Sequence, residues 1–178
     1  MNGSFNIKNS VLSGNTAGID GGAIYNGSRL LIENSVLSGN AAGGSGGAIY
    51  DNRGEISISQ SVLCRNSSKG KFGGGAIHKN RGELNVCECE FASNECESDG
   101  GAIFSIDGDL SLIDSVFFDN VSRAKGGAIY DWGELEIVGC EIFDNASSEG
   151  GGVYTKNRKD LSLNGCRFED NDPNDVTF

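Results

Sequence analysis

An acidic residue recurs at equivalent places along the chain, each time at the start of a short segment of alternating apolar residues. The five members of this acidic column are Glu55, Glu83, Asp109, Glu134 and Asp160. If the segments stack on one another, like charges lie side by side, which is destabilising without compensation. Calcium prefers several carboxylate and carbonyl oxygens, so one hypothesis is a calcium-binding column. The alternative is solvation and pairing with the nearby basic residues Arg53, Arg81, Arg158 and Lys159.

Aromatic rings recur at a second equivalent position, which we call the aromatic row. Its members are Tyr25, Tyr50, His78, Phe104, Tyr130 and Tyr154. A regular strip of flat rings with polar tips can bind sugar rings or the side chains of a partner protein. It can equally stabilise a sheet through contacts between neighbouring strands. His78, the only histidine, takes the place of a tyrosine in this row, so we expect no catalytic role for it.

The acids offer one further arrangement, a cluster around a bend. Its members are Asp107, Asp109, Asp131 and Glu134. Cleavage of a polysaccharide needs a pair of carboxylates, or a base beside bound calcium, in a groove walled by long loops. The connections here are short, and the longest, SSKGKFG, contains no acid. We therefore do not expect an enzyme, and a lyase-like or glycosidase-like protein is the alternative.

Six cysteines show no metal-binding or redox spacing. Cys89, Cys140 and Cys166 replace serine at one recurring position and are expected to be small core residues. There is no CxxC pair to suggest zinc or thiol exchange, so no cofactor other than calcium is considered. Whether Cys140 and Cys166 are joined by a disulfide is left open.

All these positions belong to one internal repeat. The segment GGAIY or a close variant begins at Gly21, Gly46, Gly74, Gly100, Gly126 and Gly150, at intervals of 24 to 28 residues. An asparagine follows an apolar residue by three positions in every copy, at Asn15, Asn40, Asn66, Asn94, Asn120, Asn145 and Asn171. Between these two elements, apolar residues alternate with polar ones, which indicates strands.

The repeat predicts an all-β, right-handed parallel β-helix of about seven rungs, a rung being one turn of the coil. Each rung should hold three short strands, and residues 1–178 should form a single domain. We expect the isoleucine of GGAIY to point inward, with the alanine and the aromatic residue on either side of it pointing outward. The recurring serine or cysteine should share the inner face, and the asparagines should form a ladder at a corner.

Charge and composition narrow the partners. The net charge of −11 opposes binding to nucleic acid. No stretch has the ~20 apolar residues of a membrane span, and the first residues lack the features of a signal peptide. They fall directly in register with later copies, so we expect a fragment of a longer protein. Its end rungs should be open edges, capable of end-to-end self-association.

The paired GGAI and FxxN motifs resemble the repeats of chlamydial polymorphic outer membrane proteins and of related bacterial and archaeal adhesin-like β-helices. The resemblance extends from Phe5 to Asn171, although three early copies carry leucine where that family prefers phenylalanine. It implies an extracellular or cell-surface location and a role in adhesion. We therefore predict a non-enzymatic module that binds a glycan or protein along its outer faces, with a passive spacer as a further alternative.

Overall fold

The computed structural model describes residues 3–178, which form an all-β parallel solenoid of about seven turns. Within that range there is no α-helix, and the one helical element is a 3-10 turn at Arg158–Asp160. All strand pairs are parallel, because each strand lies beside its equivalent in the next rung. The predicted fold class is confirmed. The right-handed sense stays a prediction from the usual chirality of parallel crossovers.

The strands are short and follow one another without any intervening domain. The first three rungs contain β1 (Ser4–Lys8), β2 (Val11–Ser13), β3 (Thr16–Ala17), β4 (Ile24–Asn26), β5 (Arg29–Glu33), β6 (Val36–Ser38), β7 (Ala41–Ala42), β8 (Ile49–Asn52), β9 (Glu55–Ser59), β10 (Val62–Cys64) and β11 (Ser67–Ser68). The later rungs contain β12 (Ile77–Cys87), β13 (Glu90–Ala92), β14 (Glu95–Cys96), β15 (Ile103–Ile113), β16 (Val116–Phe118), β17 (Val121–Ser122), β18 (Ile129–Val138), β19 (Glu141–Phe143), β20 (Val153–Thr155), β21 (Leu161–Asn164), β22 (Arg167–Glu169) and β23 (Val176–Thr177).

Three parallel sheets form the walls of the coil. The first sheet runs β1-β5-β9-β12-β15-β18-β20-β23, with β4, β8 and β21 beside it; the second runs β2-β6-β10-β13-β16-β19-β22; the third runs β3-β7-β11-β14-β17. The number of sheets is as predicted, but their composition differs. The GGAIY strand and the strand after it share the first sheet and fuse in β12, β15 and β18. The third sheet comes from the residues after each asparagine, which the sequence analysis treats as a connection.

The glycine pair of GGAI is required for two different reasons. The first glycine, as at Gly100, has a positive φ of 70°, a conformation that a side chain disfavours. The second glycine packs against the neighbouring rung. A Cβ on Gly101 would lie 2.0 Å from the carbonyl oxygen of Gly127, which is far inside contact distance. The motif is therefore a requirement of tight stacking between rungs.

The core is a continuous column of aliphatic side chains inside the coil. Ile49, Ile77, Ile103 and Ile129 are fully buried in it, together with the alternating leucine, isoleucine and valine residues of the first sheet. The alanine of GGAIY was expected to point outward, and this is wrong: Ala76, Ala102 and their equivalents are buried in the same cluster. The strands begin only at the isoleucine, so the alanine lies on a bend where strict alternation does not apply.

The asparagine ladder forms as predicted. From Asn15 to Asn171, each side-chain amide donates to the Oδ1 of the asparagine in the next rung, as Asn94 does to Asn120 at 2.9 Å. The amide also donates to a carbonyl of the preceding rung, which for Asn94 is that of Leu63. The backbone N–H of Asn94 donates to the same Asn120 oxygen. Every polar atom of a buried corner side chain therefore has a partner.

The inner serines and cysteines connect rungs in a similar way. Ser35 donates its hydroxyl to the carbonyl of Glu33 at 2.8 Å. Its oxygen accepts the backbone N–H of Ser10 at 3.1 Å. Cys89 and Cys140 occupy the same buried position, as expected for small core residues. The prediction that this column shares the inner face is confirmed.

The two ends of the coil differ. In the first rung Phe5, Val11, Ile19 and Tyr25 are largely exposed. At the other end the short segment after Asn171 folds back: β23 pairs with β20, and Asp175 accepts a hydrogen bond from the amide of Asn171 at 2.9 Å. This segment covers only part of the last rung, because β21 and β22 each pair on one side only and residues 161–170 are mostly exposed. End-to-end self-association stays a prediction.

Candidate functional site

The aromatic row forms a continuous stack along the outside of the first sheet. Successive ring centroids are 5.1, 4.8, 4.9, 4.9 and 5.4 Å apart from Tyr25 to Tyr154. The rings belong to β4, β8, β12, β15, β18 and β20, which lie in register. The row is separate from the central core, and Phe104, Tyr130 and Tyr154 form a cluster of their own. The prediction that these residues form one column is confirmed.

The exposure of the row differs from the expectation. Tyr25 is 62% exposed and Tyr50 is partly exposed, but His78, Phe104, Tyr130 and Tyr154 are buried. Rings stacked about 5 Å apart cover each other's faces. Neighbouring side chains cover the edges as well: Lys125 places its Nζ 4.2 Å from the Tyr154 ring centre and donates to its hydroxyl at 2.9 Å. As a binding strip, most of the row is therefore inaccessible, and its stacking stabilises the sheet.

An exposed tryptophan lies beside the buried end of the row. On β18, alternation points Ile129 and Asp131 inward and Tyr130 and Trp132 outward, and Trp132 is 51% exposed. The Nζ of Lys156, in the next rung, lies 4.0 Å from the Trp132 ring and 5.7 Å from the Tyr130 ring. We call Tyr130, Trp132 and Lys156 the Trp132 patch. It combines an exposed indole and an exposed ammonium group on the sheet face, and the buried Tyr130 ring packs beside them.

Trp132 could not be found from the repeat, because its column is not uniform. The residues in register with it are Asn52, Asn80 and Ile106, so no repeated chemistry marks the position. The signal that could have revealed Trp132 is the alternation of side chains along β18. Trp132 comes two residues after Tyr130, so both point to the same outer face.

Charged groups next to the patch hold the last rings in place. Lys125 makes an ion pair with Glu149 at 2.8 Å. The hydrogen bonds with Glu149 and Tyr154 raise the pKa of Lys125, which keeps it protonated. Burial raises the pKa of the Tyr130 phenol, against the effect of nearby Lys156. Burial also raises the pKa of Asp99, partly offset by Lys125.

His78 is a neutral member of the row. Burial lowers its pKa to about 4, and its Nδ1 is buried without a hydrogen-bond partner in the part of the chain described. The ring stacks between Tyr50 and Phe104. A buried, stacked and uncharged imidazole fits the predicted tyrosine-like role.

Three members of the acidic column lie in register on the outside of the first sheet, whereas Asp160 belongs to the 3-10 turn at Arg158–Asp160. Glu83 pairs with Asp109, and Asp109 with Glu134, on adjacent strands. All five acids are exposed, and none forms an ion pair with a residue of the described range. Across residues 3–178 no group of three or more histidine, cysteine or acidic side chains could hold a metal ion. The calcium hypothesis gains no support from this geometry, and solvation accounts for the column.

The cluster considered for catalysis is divided between inside and outside. Asp107 is exposed and lies 3.7 Å from Arg81, whereas Asp131 points into the coil and is fully buried. Burial raises the pKa of Asp131 to about 6, while the N–H of Gly133 and the nearby hydroxyl of Ser105 act in the opposite direction. The four acids therefore do not share one face that a substrate could reach.

A second buried column was not foreseen. The residue two places after the inward isoleucine is polar in every rung, and all six are buried: Asn26, Asp51, Lys79, Ser105, Asp131 and Thr155. Lys79 and Asp51 form an ion pair with no solvent exposure, Nζ to Oδ2 2.6 Å. The Asp51 carboxylate also accepts from Asn26 and from the N–H of Gly54, and Lys79 donates to the Gly54 carbonyl. We call this set the inner polar column.

All six cysteines are free thiols. Burial raises the pKa of both Cys89 and Cys140 to about 11, so these thiols are unreactive. Cys87 is partly exposed while Cys89 is buried, because β12 ends at Cys87 and the positive φ of Glu88 turns the chain between them.

Comparison with known proteins concerns the repeat itself. Residues 9–27, 34–52 and 114–131 match the Chlamydia polymorphic membrane protein repeat. A search of curated proteins and a search of solved structures found no match. The repeat and the solenoid together fit a surface module of the adhesin kind.

The matched polymorphic membrane protein repeats contain the residues that packing requires. Each segment runs from the inner serine column through the asparagine ladder to the glycine pair and the first residues of the next strand. The third match ends at Asp131, one residue before Trp132. The matched residues are thus those on which the packing of the coil depends. No helix in residues 3–178 is long and apolar enough to cross a bilayer.

Proposed function

We propose that this chain is a non-enzymatic, extracellular or cell-surface module of adhesin type that binds a glycan or protein along the outer face of its first sheet. The observation that carries the proposal is the Trp132 patch, where a half-exposed tryptophan lies 4.0 Å from an ammonium group on a rigid sheet. Tryptophan is enriched among the few residues that dominate the binding energy of interfaces. The repeat of a membrane protein family supports the surface location.

A glycan is the ligand that the patch favours. Sugars present both C–H surfaces and hydroxyl groups, and the patch offers the exposed indole of Trp132 for the former and the exposed ammonium of Lys156 for the latter. The two accessible rings at the other end of the row, Tyr25 and Tyr50, provide a second aromatic surface on the same sheet. A ligand that extends along the coil would contact both.

Measurements of glycan binding and of glycan cleavage, made in parallel, distinguish the candidate functions. We would apply the chain to a glycan array and assay release of reducing sugar from acidic polysaccharides in parallel. Binding without release is expected. Release would support the alternative of a carbohydrate-active β-helix. Absence of both would favour a passive spacer and contradict the proposal.

A matched pair of variants locates the contact. Trp132→Ala should weaken binding at least about tenfold, as loss of an aromatic hot-spot residue does. Phe118→Ala is the control, because Phe118 is a partly exposed ring on β16, in the second sheet and so on a different wall of the coil. Equal affinities of both variants and the wild type would place the binding surface elsewhere.

A further inference from the structure

Two members of the inner polar column have side-chain atoms that are buried without partners. Asp131 is fully buried; its Oδ2 accepts the N–H of Gly133 at 2.9 Å, but its Oδ1 has no hydrogen-bond partner among residues 3–178. The Oγ of Ser105, also fully buried, lies close enough to lower the pKa of Asp131, but no hydrogen bond of normal length joins it to a partner there. The two residues lie in register on β15 and β18, directly beside each other. Unpartnered buried polar atoms are rare, because each costs the free energy of its lost hydration.

The same coil contains a completed version of this arrangement. Asp51 occupies the column position of Asp131, and Gly54 donates to it as Gly133 does to Asp131. In that earlier rung the charge is balanced by the ammonium of Lys79, which comes from the next rung and contacts both Asp51 and the Gly54 carbonyl. The position equivalent to Lys79 beside Asp131 is occupied by Thr155, which carries no charge.

We infer that Asp131 and Ser105 form a buried binding site for a monovalent cation, which supplies the positive charge that the Lys79 ammonium supplies beside Asp51. The ligands from this chain are Asp131 Oδ1 and Ser105 Oγ. A single carboxylate matches a single positive charge. Hydroxyl and carboxylate oxygens are ligands that hard cations prefer. Such a cation would connect two successive rungs through the core.

The test compares salts at equal ionic strength in mildly alkaline buffer. Thermal unfolding of the whole chain would be measured in sodium chloride, potassium chloride and tetramethylammonium chloride, whose cation is too large for the site. A cation that binds only the folded state should raise Tm by about 5 °C or more near saturation. Asp131→Asn should abolish the difference between salts. Glu134→Gln, an exposed acid on the same strand, should retain it.

A second variant supplies the ammonium covalently. Thr155→Lys should remove the salt dependence, because its side chain can reach Asp131 as Lys79 reaches Asp51. The sodium-23 NMR linewidth should broaden with the wild type and not with Asp131→Asn, and this readout holds even if the lysine variant does not fold. Equal Tm in the three salts, or the same salt dependence in Asp131→Asn, would overturn the site.

Discussion

The buried asparagine is the residue that best explains why each rung follows the next at a fixed spacing. Asn94 uses both amide hydrogens and its oxygen, and it accepts the amide and the backbone N–H of Asn66. Because it has partners in both neighbouring rungs, its loss would leave buried donors and acceptors unpaired on both sides.

Replacement of this residue should therefore cost considerable stability. Asn94→Ala is expected to lower the free energy of unfolding by about 3 kcal/mol, since several buried polar groups lose partners. Asn85→Ala, on the exposed face of β12, should have little effect. Denaturant unfolding of both variants measures this, and similar losses would show that the ladder is not a major source of stability.

His78 makes stability depend on pH. Its pKa is about 4 in the folded chain, against 6.5 for an unperturbed histidine. Between these values the unfolded state binds a proton that the folded state does not, so stability falls as pH falls from 6.5 to 4. The difference between the two pKa values corresponds to about 3 kcal/mol. Asp131, whose pKa is raised, changes stability in the opposite direction. Its contribution to the pH dependence must therefore be subtracted to obtain that of His78.

The variant His78→Phe isolates the histidine contribution. Phenylalanine continues the stack next to Phe104 and does not titrate. We expect the stability of the wild type relative to His78→Phe to decrease by about 3 kcal/mol as pH falls across that window. If the free energies of unfolding of the two proteins changed with pH in parallel, the imidazole would take up a proton equally well in the folded and unfolded states, which contradicts the lowered pKa.

Among individual residues, those that recur in every rung can be predicted from the sequence, and those that occur once cannot. The asparagines, inner serines and stacked rings were found because every rung contains them. Trp132 and the Lys79–Asp51 pair occur once, so no periodicity shows them. The exposure of the row was also missed, because it depends on side chains from other segments, such as Lys125, that cover the rings.

At the scale of the strand, register decides which side chains can pair. Lys79 on β12 meets Asp51 on β8 only because the two strands are aligned residue for residue. The same strand carries Arg81, which pairs with Asp107 on the outside at 3.7 Å, with both side chains more than half exposed. One strand thus offers a buried and an exposed ion pair of similar chemistry.

The two ion pairs should differ strongly in their contribution to stability. Lys79→Met leaves the Asp51 charge buried without its cation, and we expect a loss of about 3–5 kcal/mol. Arg81→Met removes a solvated pair and should change stability by less than about 1 kcal/mol. Thermal or denaturant unfolding measures both variants. A small effect of Lys79→Met would mean that water reaches Asp51.

The assignment of strands to sheets was only partly predictable. The alternating apolar residues marked the first two sheets correctly as strands. The third sheet has strands of two residues, such as β14 and β17, which are too short to show any period. They form because the glycine pair and the asparagine corner fix the chain on both sides, and this needs the assembled coil.

For the whole molecule, stacking of equivalent residues is the property on which every other claim rests. The inner columns give the coil its core and its buried polar network, and the outer columns give it faces of like residues. The surface role proposed for the Trp132 patch needs a rigid and flat first sheet, and both follow from the regular distance between rungs.

The spacing of rungs can be measured directly with spin labels at outward positions of one column. Leu31, Glu136 and Ser162 lie in register through successive strands of the first sheet. Labels introduced through a non-natural amino acid leave the native cysteines unmodified. At about 4.8 Å per rung, electron spin resonance should give about 19 Å between positions 31 and 136 and about 24 Å between positions 31 and 162. Distances that do not increase by one rung spacing, or that vary broadly, would contradict the coil and the binding face built on it.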